Sequence, residues 1–302
     1  MEVRNCLNDF KKELDFLGKI VEQELAKLLP PKDEYPPKLH EAIHYSTFAG
    51  GKRLRPIMVM KAAELFGMPY EKVIPTACGI EMIHTYSLIH DDLPVMDDDD
   101  FRRGKPTCHK VYGEAVALLA GDALLTHAFA AISKNSKIEG ICPNAVLDVI
   151  EKVSNAAGTY GMIGGQTVDI SSSGKAIDQD TIFYISLHKT AALISVSLWS
   201  GARLAGASAK DLETIKRFGE NIGLVFQIVD DILDEKGDEK SLGKPIGSDA
   251  KNMKSTFFKV YGYAGCLDLI DKLSSEAKEL ISNYKNNNFF IQLTDFIVNR
   301  SY

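Results

Sequence analysis

The sequence predicts a nearly all-helical protein that folds as one large domain over residues 1–302. Apolar residues recur at steps of three and four along most of the chain, which is the spacing of one helical face. No strictly alternating run between hairpin turns argues for a sheet. The helical pattern continues without a long linker of Gly, Ser and Pro, so we favour one domain although the length would allow two.

The composition is that of a globular protein with a large core, since 45% of the residues are hydrophobic and 25% are charged. The net charge is −6, and the basic residues are dispersed or paired with acids, which argues against a nucleic-acid partner. The five cysteines are odd in number and widely spaced, as expected of reduced thiols. No secretory leader is visible, and the longest uncharged apolar stretch, residues 190–202, is too short to cross a bilayer. We therefore expect a cytoplasmic protein without a membrane span.

Turn-rich breaks divide the chain into about ten helices. These breaks fall at residues 30–37, 50–51, 135–144, 171–178 and 237–249. The connections are mostly short, which is typical of antiparallel bundles. Residues 1–35 and Arg300 carry no pattern that indicates a function.

Two clusters of aspartates follow strongly apolar helical stretches. Their candidate metal ligands are Asp91, Asp92 and Asp97 in the first cluster, and Asp230, Asp231 and Asp234 in the second. Concentrated negative charge beside apolar helices repels itself unless a cation neutralises it. Mg²⁺ prefers oxygen ligands and typically uses one or two carboxylates together with substrate phosphate oxygens. The clusters therefore predict a divalent metal and a diphosphate in one shared site, while residues 98–100 are equally well interpreted as a solvated loop.

The two clusters differ in local geometry. Pro94 disturbs the first helix, so the residues between Asp91 and Asp97 should form a bulge instead of a straight turn. On the second helix, Gln227, Asp231 and Asp234 share one face.

Basic residues lie where an anion site would need them. A glycine break precedes Lys52 and Arg55 at the start of a helix, where backbone N–H groups favour phosphate, and the two side chains should meet on one face. Arg102 and Arg103 follow the first acidic cluster and either neutralise it or bind diphosphate. His84 lies on the face of Asp91, although a lone histidine there is more often part of the core.

Three polar residues interrupt apolar helices. Lys189 and Thr190 lie within the apolar stretch from 182 to 204, and Gln227 lies one turn before the second acidic cluster. A buried lysine must reach solvent or a polar partner. Pointed into a cavity, the three groups would stabilise a cation, and core packing is the competing interpretation of each.

No other catalytic set is visible. The sequence has no phosphate-binding loop, no nucleophile elbow and no cluster with zinc-ligand spacing. His40 and His44 are four residues apart but lack the intervening glutamate of a zinc protease.

Several motifs resemble those of the trans-prenyl diphosphate synthases, over nearly the whole chain from residue 40 onward. They are GGKRLRP (50–56), EMIHTYSLIHDDLPVMDDDDFRRGKPTCH (81–109), GGQTVDI (164–170), HKTAAL (188–193) and GLVFQIVDDILD (223–234). The resemblance implies a helical bundle around a central deep cavity, usually a homodimer. It also implies head-to-tail condensation of isopentenyl diphosphate with an allylic diphosphate through an allylic cation.

The resemblance further implies a role for each site residue. The two aspartate clusters would hold three Mg²⁺ ions on the allylic diphosphate, and Thr190 and Gln227 would flank the developing cation. The isopentenyl diphosphate would be bound by Lys52, Arg55, His84 and Arg103, and the allylic one by Arg102, Lys189 and Lys244, with Lys254 on a closing loop at 236–254.

Product length is expected to depend on the helix below the first cluster. In the resembling family, an aromatic residue at the position of Tyr86, combined with the two-residue insertion inside the first aspartate cluster, is typical of bacterial farnesyl diphosphate synthases. Ser87 lies on the Asp91 face, whereas Tyr86 is rotated by about 100° from Ser87 and would equally suit the core. We expect dimethylallyl and geranyl diphosphate as allylic substrates and farnesyl diphosphate as product, with geranylgeranyl diphosphate as the alternative.

Three further functions compete with this one. A terpene cyclase usually replaces the second cluster with an Asn/Ser/Glu pattern and would not need Lys52 and Arg55. A non-catalytic helical partner subunit typically loses an acidic motif, whereas both are intact. A generic cation-binding protein would leave the basic pairs unexplained.

Overall fold

A computed structural model describes residues 2–236 and 255–300, with side chains over 9–235 and 255–300. Within this part of the chain the structure is almost entirely helical, so the predicted all-α fold class is confirmed. The helices are α1 (Glu2–Leu28), α2 (Pro37–Thr47), α3 (Leu54–Leu65), α4 (Ile74–Asp91), α5 (Cys108–Tyr112), α6 (Glu114–Ser133), α7 (Pro143–Ala157), α8 (Met162–Ser172), α9 (Gln179–Ile185), α10 (Ala192–Leu204), α11 (Ala209–Lys236), α12 (Phe257–Ile281) and α13 (Asn288–Val298). A π-helical turn, Ser186–Ala191, joins α9 to α10, and short 3₁₀ turns occupy Tyr70–Val73 and Lys134–Lys137.

The predicted breaks within the described residues coincide with the ends of these helices. The helices in this part of the chain number more than ten, partly because α5 and α9 are short, with five and seven residues. One element was not predicted: a two-stranded hairpin of β1 (Phe101–Arg102) and β2 (Lys105–Pro106). Its turn residues Arg103 and Gly104 both have positive φ, 55° and 75°. This geometry matches the twist of tight hairpins. Strands of two residues are too short to produce a recognisable alternation.

Helix α4 forms the centre of the bundle. It is buried on nearly all sides, as its continuous apolar character predicts, and packs most extensively against α6. The buried apolar residues of the described chain form one cluster from Phe10 to Ile297. The single domain over 1–302 stays a prediction.

Helix α1 belongs to this core. Its buried residues follow steps of three and four: Phe10, Leu14, Leu17, Val21 and Leu25. It packs against α3, α4 and α13. The amino-terminal segment, for which the sequence indicated no role, therefore supports the two helices that carry the first acidic and the first basic motif.

Two helical stretches, Glu114–Lys137 and Gln179–Leu204, are long and apolar enough to cross a membrane, and 39% and 61% of their apolar windows are buried in the protein. Core helices of folded bundles meet the same criterion of length and composition. The uncharged stretch 190–202 is shorter than the helical stretch Gln179–Leu204, because the helical stretch continues through the charged Lys189. The absence of a membrane span stays a prediction.

Candidate active site

The first acidic motif begins where α4 ends. The helix stops at Asp91, and the chain turns so that the Asp97 N–H donates to the Asp91 carbonyl at 2.9 Å. Asp98 then takes a left-handed conformation with φ 52°. The expected bulge after Pro94 is therefore present, and it brings Asp91 and Asp97 together.

Arg102 lies against the first motif. Its Nε donates to Asp92 Oδ1 at 2.6 Å, and its Nη2 lies 3.4 Å from Asp99 Oδ2. Asp92 is only 3% exposed. Burial raises the pKa of Asp92 to about 6, although the Arg102 guanidinium opposes this shift. Arg102 thus neutralises the motif, as one of its two interpretations expected, and its binding of the allylic diphosphate stays a prediction.

Helix α8 contributes two residues that were not predicted as site residues. Gln166 Nε2 donates to Asp91 Oδ1 at 3.1 Å, and the Lys189 ammonium donates to Asp169 Oδ2 at 2.5 Å. Both lie in GGQTVDI, a motif that supported the family resemblance without an assigned role. Asp169 supplies the polar partner that a lysine in an apolar helix requires.

The second acidic motif is tied to the π-helical turn. Thr190 Oγ1 donates to Gln227 Oε1 at 2.8 Å, and Gln227 Nε2 donates to Asp231 Oδ1 at 2.8 Å. Asp231 also accepts the Phe257 N–H at 2.6 Å. The expected common face of Gln227 and Asp231 is therefore present, and a continuous hydrogen-bonded chain links the π-helical turn, α11 and the start of α12.

The predicted basic cluster is assembled near the start of α3. Arg55 Nη1 lies 3.4 Å from His84 Nε2, and Arg103 donates to the Gly50 carbonyl. A Cβ on Gly51, whose φ is 122°, would lie 2.6 Å from the Arg103 guanidinium carbon, so glycine is required there. Lys52 precedes α3 and therefore does not share a helical face with Arg55, contrary to the prediction, because α3 begins only at Leu54.

This cluster carries excess positive charge in a partly desolvated place. Burial lowers the pKa of Arg55 to about 10, opposed by Glu81 and reinforced by Arg103. Burial and the neighbouring arginines hold the pKa of His84 well below its usual range, so this imidazole is neutral at pH 7. Arg55 Nε is buried without a hydrogen-bond partner among the described residues. Buried cations with an unpartnered donor are suited to binding an anion.

Arg53 has a different role from its neighbours. It is 3% exposed, and it binds Glu81 at 2.8 Å, Glu22 at 3.0 Å and the Thr47 carbonyl at 2.7 Å. Arg53, the second of the three cations in the basic motif, thus connects α1, α2 and α4 inside the protein. The sequence alone gave no means of separating it from Lys52 and Arg55.

Arg300, whose role the sequence left open, contacts the second acidic motif. It forms an ion pair with Asp230 and lies over the Phe226 ring, 3.8 Å from its centroid. Burial lowers the pKa of both Lys52 and Arg55, and the charge of Asp230 opposes this shift in each, as expected of an acidic motif near the basic cluster.

The candidate chain-length residues lie on α4. Tyr86 is 4% exposed, its ring makes an edge contact with His90, and its hydroxyl has no hydrogen-bond partner among the described residues. Ser87 Oγ donates to the His84 carbonyl at 2.9 Å. Lys244, Lys254 and the proposed closing loop from 237 onward lie outside the described residues.

Among the residues whose side chains are described, the histidines and cysteines form no separate metal site. His40 and His44 bond to the carbonyls of Glu34 and Pro30 at 3.0 and 2.8 Å, as ordinary structural histidines. The cysteines whose side chains are described are all free thiols.

The aspartates fit Mg²⁺ only together with a ligand. Among the described residues, no three acidic, histidine or cysteine side chains converge on one point. A self-sufficient protein cage is therefore absent from this part of the chain. Mg²⁺ typically takes one or two carboxylates and completes its shell with phosphate oxygens and water. The donor chemistry of Asp91, Asp97 and Asp230 matches that requirement.

Comparison with known proteins agrees with this geometry. The family model for polyprenyl synthetase matches residues 36–289. A geranylgeranyl diphosphate synthase from Cyanophora paradoxa is 46% identical over 284 residues, covering 93% of each chain, and a farnesyl diphosphate synthase from Bacillus subtilis is 42% identical over 285 residues, covering 94% of this chain and 96% of its own. The crystal structure of an FPP/GFPP synthase from Zymomonas mobilis superposes with a TM-score of 0.85 at 33% identity, covering 97% of this chain and 99% of its own. The chain therefore belongs to the polyprenyl synthetase family, whose members are prenyltransferases.

Proposed function

We propose that the protein is a Mg²⁺-dependent farnesyl diphosphate synthase, which condenses isopentenyl diphosphate head-to-tail with dimethylallyl and then geranyl diphosphate. The observation that carries this proposal is the basic cluster of Arg55, His84 and Arg103 beside the acidic motifs. A cyclase or a simple metal binder would need no second anion site of this kind. The buried, unpartnered Arg55 Nε supplies a donor for the diphosphate of the second substrate.

Mg²⁺ bound between the aspartates and the allylic diphosphate would spread the negative charge that develops on the departing diphosphate. Asp91, Asp97 and Asp230 would be the direct ligands, and each active site would hold three Mg²⁺ ions. Asp92 and Asp231 are buried and bonded to Arg102 and Gln227, so each also holds its motif in place. Asp234, which is 4% exposed, completes the second motif.

The chain's own residues prepare the reacting carbons. Arg102 and Lys189 would hold the allylic diphosphate, with Lys244 and Lys254 completing that site. Thr190 and Gln227, which bond each other, would present their oxygens to the allylic cation as its carbon–oxygen bond breaks. The isopentenyl double bond then attacks that cation, which moves the positive charge to the methyl-bearing carbon of the isopentenyl unit. The CH₂ group beside that carbon, on the side of its diphosphate, loses a proton to the departing diphosphate, and a new double bond forms. We place these steps in a deep cavity walled by apolar helices, since exclusion of water prevents capture of the cation.

The fifteen-carbon product rests on Tyr86. A large buried ring one turn below Asp91 would close the end of a growing chain, while Ser87 beside it is small. Relatives include both farnesyl and geranylgeranyl diphosphate synthases, so geranylgeranyl diphosphate is the alternative product.

We further propose a cytoplasmic homodimer of single-domain chains without a membrane span. Helix α6 supports the dimer, because it is mostly apolar yet leaves Leu118 and Leu119 46% and 56% exposed. Exposed apolar patches on a protein surface commonly mark interaction sites.

The deciding experiment combines product analysis with two substitutions. We expect release of diphosphate only when Mg²⁺, isopentenyl diphosphate and an allylic diphosphate are all present, with farnesyl diphosphate identified by mass spectrometry. Asp91→Ala and Asp230→Ala should lose most turnover while keeping the helical circular dichroism spectrum. Asp148→Asn is the matched control, because this aspartate pairs with Arg203 away from the site. Inactivity of the intact chain, or near-native rates in both Asp→Ala variants, would contradict the proposal.

A further inference from the structure

The carboxyl-terminal end of the described chain folds back onto the second acidic motif. Helix α13 ends at Val298, and the Arg300 guanidinium then reaches α11. Its Nη2 pairs with Asp230 Oδ1 and lies 3.4 Å from the Phe226 carbonyl oxygen. The Arg300 side chain is 15% exposed, whereas that of Asp230 is 39% exposed.

We propose that Arg300 is a positioning residue that holds the Asp230 carboxylate while no metal is bound, and that a divalent metal must displace its guanidinium to reach that carboxylate. The inference rests on the proposed metal-binding role of Asp230. A guanidinium and a metal ion both require the lone pairs of the same oxygens, so their contacts compete.

Electrostatics explains why such a group is needed. Asp230, Asp231 and Asp234 lie within five residues of one helix, and without metal their charges repel one another. Arg300 supplies one positive charge at the most exposed of the three carboxylates. Stacking on Phe226, one helical turn before Asp230, fixes the guanidinium at that place.

The position of Arg300 also favours its release. Its Nε is buried without a partner among the described residues, so leaving Asp230 gives up few hydrogen bonds. Burial lowers the pKa of Lys52, and the Arg300 charge adds to this shift, as expected of two neighbouring cations. Arg300 thus lies beside Asp230 despite a neighbouring cation, and neutralisation of Asp230 by metal removes the charge that pairs with it.

The test is binding of Mn²⁺, which shares the oxygen-ligand preference of Mg²⁺, to the full chain without substrate. Free Mn²⁺ is measured by electron paramagnetic resonance for the wild type, Arg300→Gln, Asp230→Asn and the double variant. Arg203→Gln is the matched control, because it removes the same charge and also breaks an arginine–aspartate pair, at 2.7 Å. Far-ultraviolet circular dichroism verifies that every variant is folded.

We expect Arg300→Gln to bind Mn²⁺ about threefold to tenfold more tightly, as for loss of a competing, partly buried ion pair. Arg203→Gln should match the wild type, and Arg300→Gln should have no effect in the Asp230→Asn background. Unchanged or weaker Mn²⁺ binding by Arg300→Gln would overturn the proposal, as would absence of measurable binding in both wild type and Arg300→Gln. If Asp230→Asn bound Mn²⁺ as tightly as the wild type does, the proposed role of Asp230 as a metal ligand would be wrong. This outcome differs from the one that contradicts only the competition between Arg300 and the metal.

Discussion

Replacement of Arg53 should separate the structural arginine of the basic motif from its functional neighbours. In Arg53→Met, the Glu81 carboxylate, whose side chain is 3% exposed, loses the guanidinium that binds it at 2.8 Å. The Glu22 carboxylate and the Thr47 carbonyl lose donors as well. Removal of one partner from a buried ion pair typically costs about 3–5 kcal/mol, because the other charge stays buried.

For a chain of this size, that loss of unfolding free energy corresponds to a fall in Tm of roughly 5–8 °C. The assay is thermal unfolding followed by circular dichroism at fixed protein concentration. Arg55→Met is the matched control: its guanidinium has no carboxylate within hydrogen-bond distance among the described residues, and burial already lowers its pKa to about 10. We expect its stability to stay within about 1 kcal/mol of the wild type.

A double variant sharpens the comparison. Arg53→Met with Glu81→Met removes both buried charges, so part of the lost stability should return. The reasoning would be refuted if Arg53→Met lost less than about 1 kcal/mol, or if Arg55→Met were destabilised as much as Arg53→Met.

Three further predictions concern the site itself. Tyr86→Ala should lengthen the product seen by mass spectrometry, and an unchanged product would remove Tyr86 from the end of the chain-binding space. Gln166→Ala removes a donor to Asp91 and should lower turnover about 10-fold to 100-fold with little change in Tm; a parallel fall in both would indicate a structural role instead. The pKa of His84 lies well below its usual value of 6.5, because burial and the neighbouring arginines disfavour the imidazolium ion. The unfolded chain therefore binds the extra proton, so the stability that neutral His84 contributes above pH 6.5 is lost as pH falls through the folded pKa. Urea unfolding between pH 5 and 7.5 should show a shallower decline for His84→Gln, and equal slopes would contradict this assignment.

The sequence predicted those features that depend on local pattern. The end of α4 at Asp91 followed from Pro94, and the shared face of Gln227 and Asp231 followed from helical spacing. Both are properties of a few consecutive residues, for which steric and periodic rules are strong.

Features that depend on distant contacts were not predictable in the same way. Arg53 and Arg55 belong to one basic motif, and only their partners on other helices show that one is structural. Asp169 and Arg300 were missed for the same reason, since their partners Lys189 and Asp230 are distant in sequence. A charge census identifies the residues of such a network but not its pairing.

The π-helical turn makes the site sensitive to the number of residues in one helix. Lys189 and Thr190 reach partners on two different helices, and the wider turn at Ser186–Ala191 holds more residues than an α-turn. Deletion of one residue there would let an unbroken α-helix form and rotate one flank by about 100°, so at least one of the two partners would be lost. The buried packing of α10 would remain. A single in-frame codon loss could thus turn a duplicated gene into a chain that still folds but no longer catalyses, without any change in the two aspartate motifs.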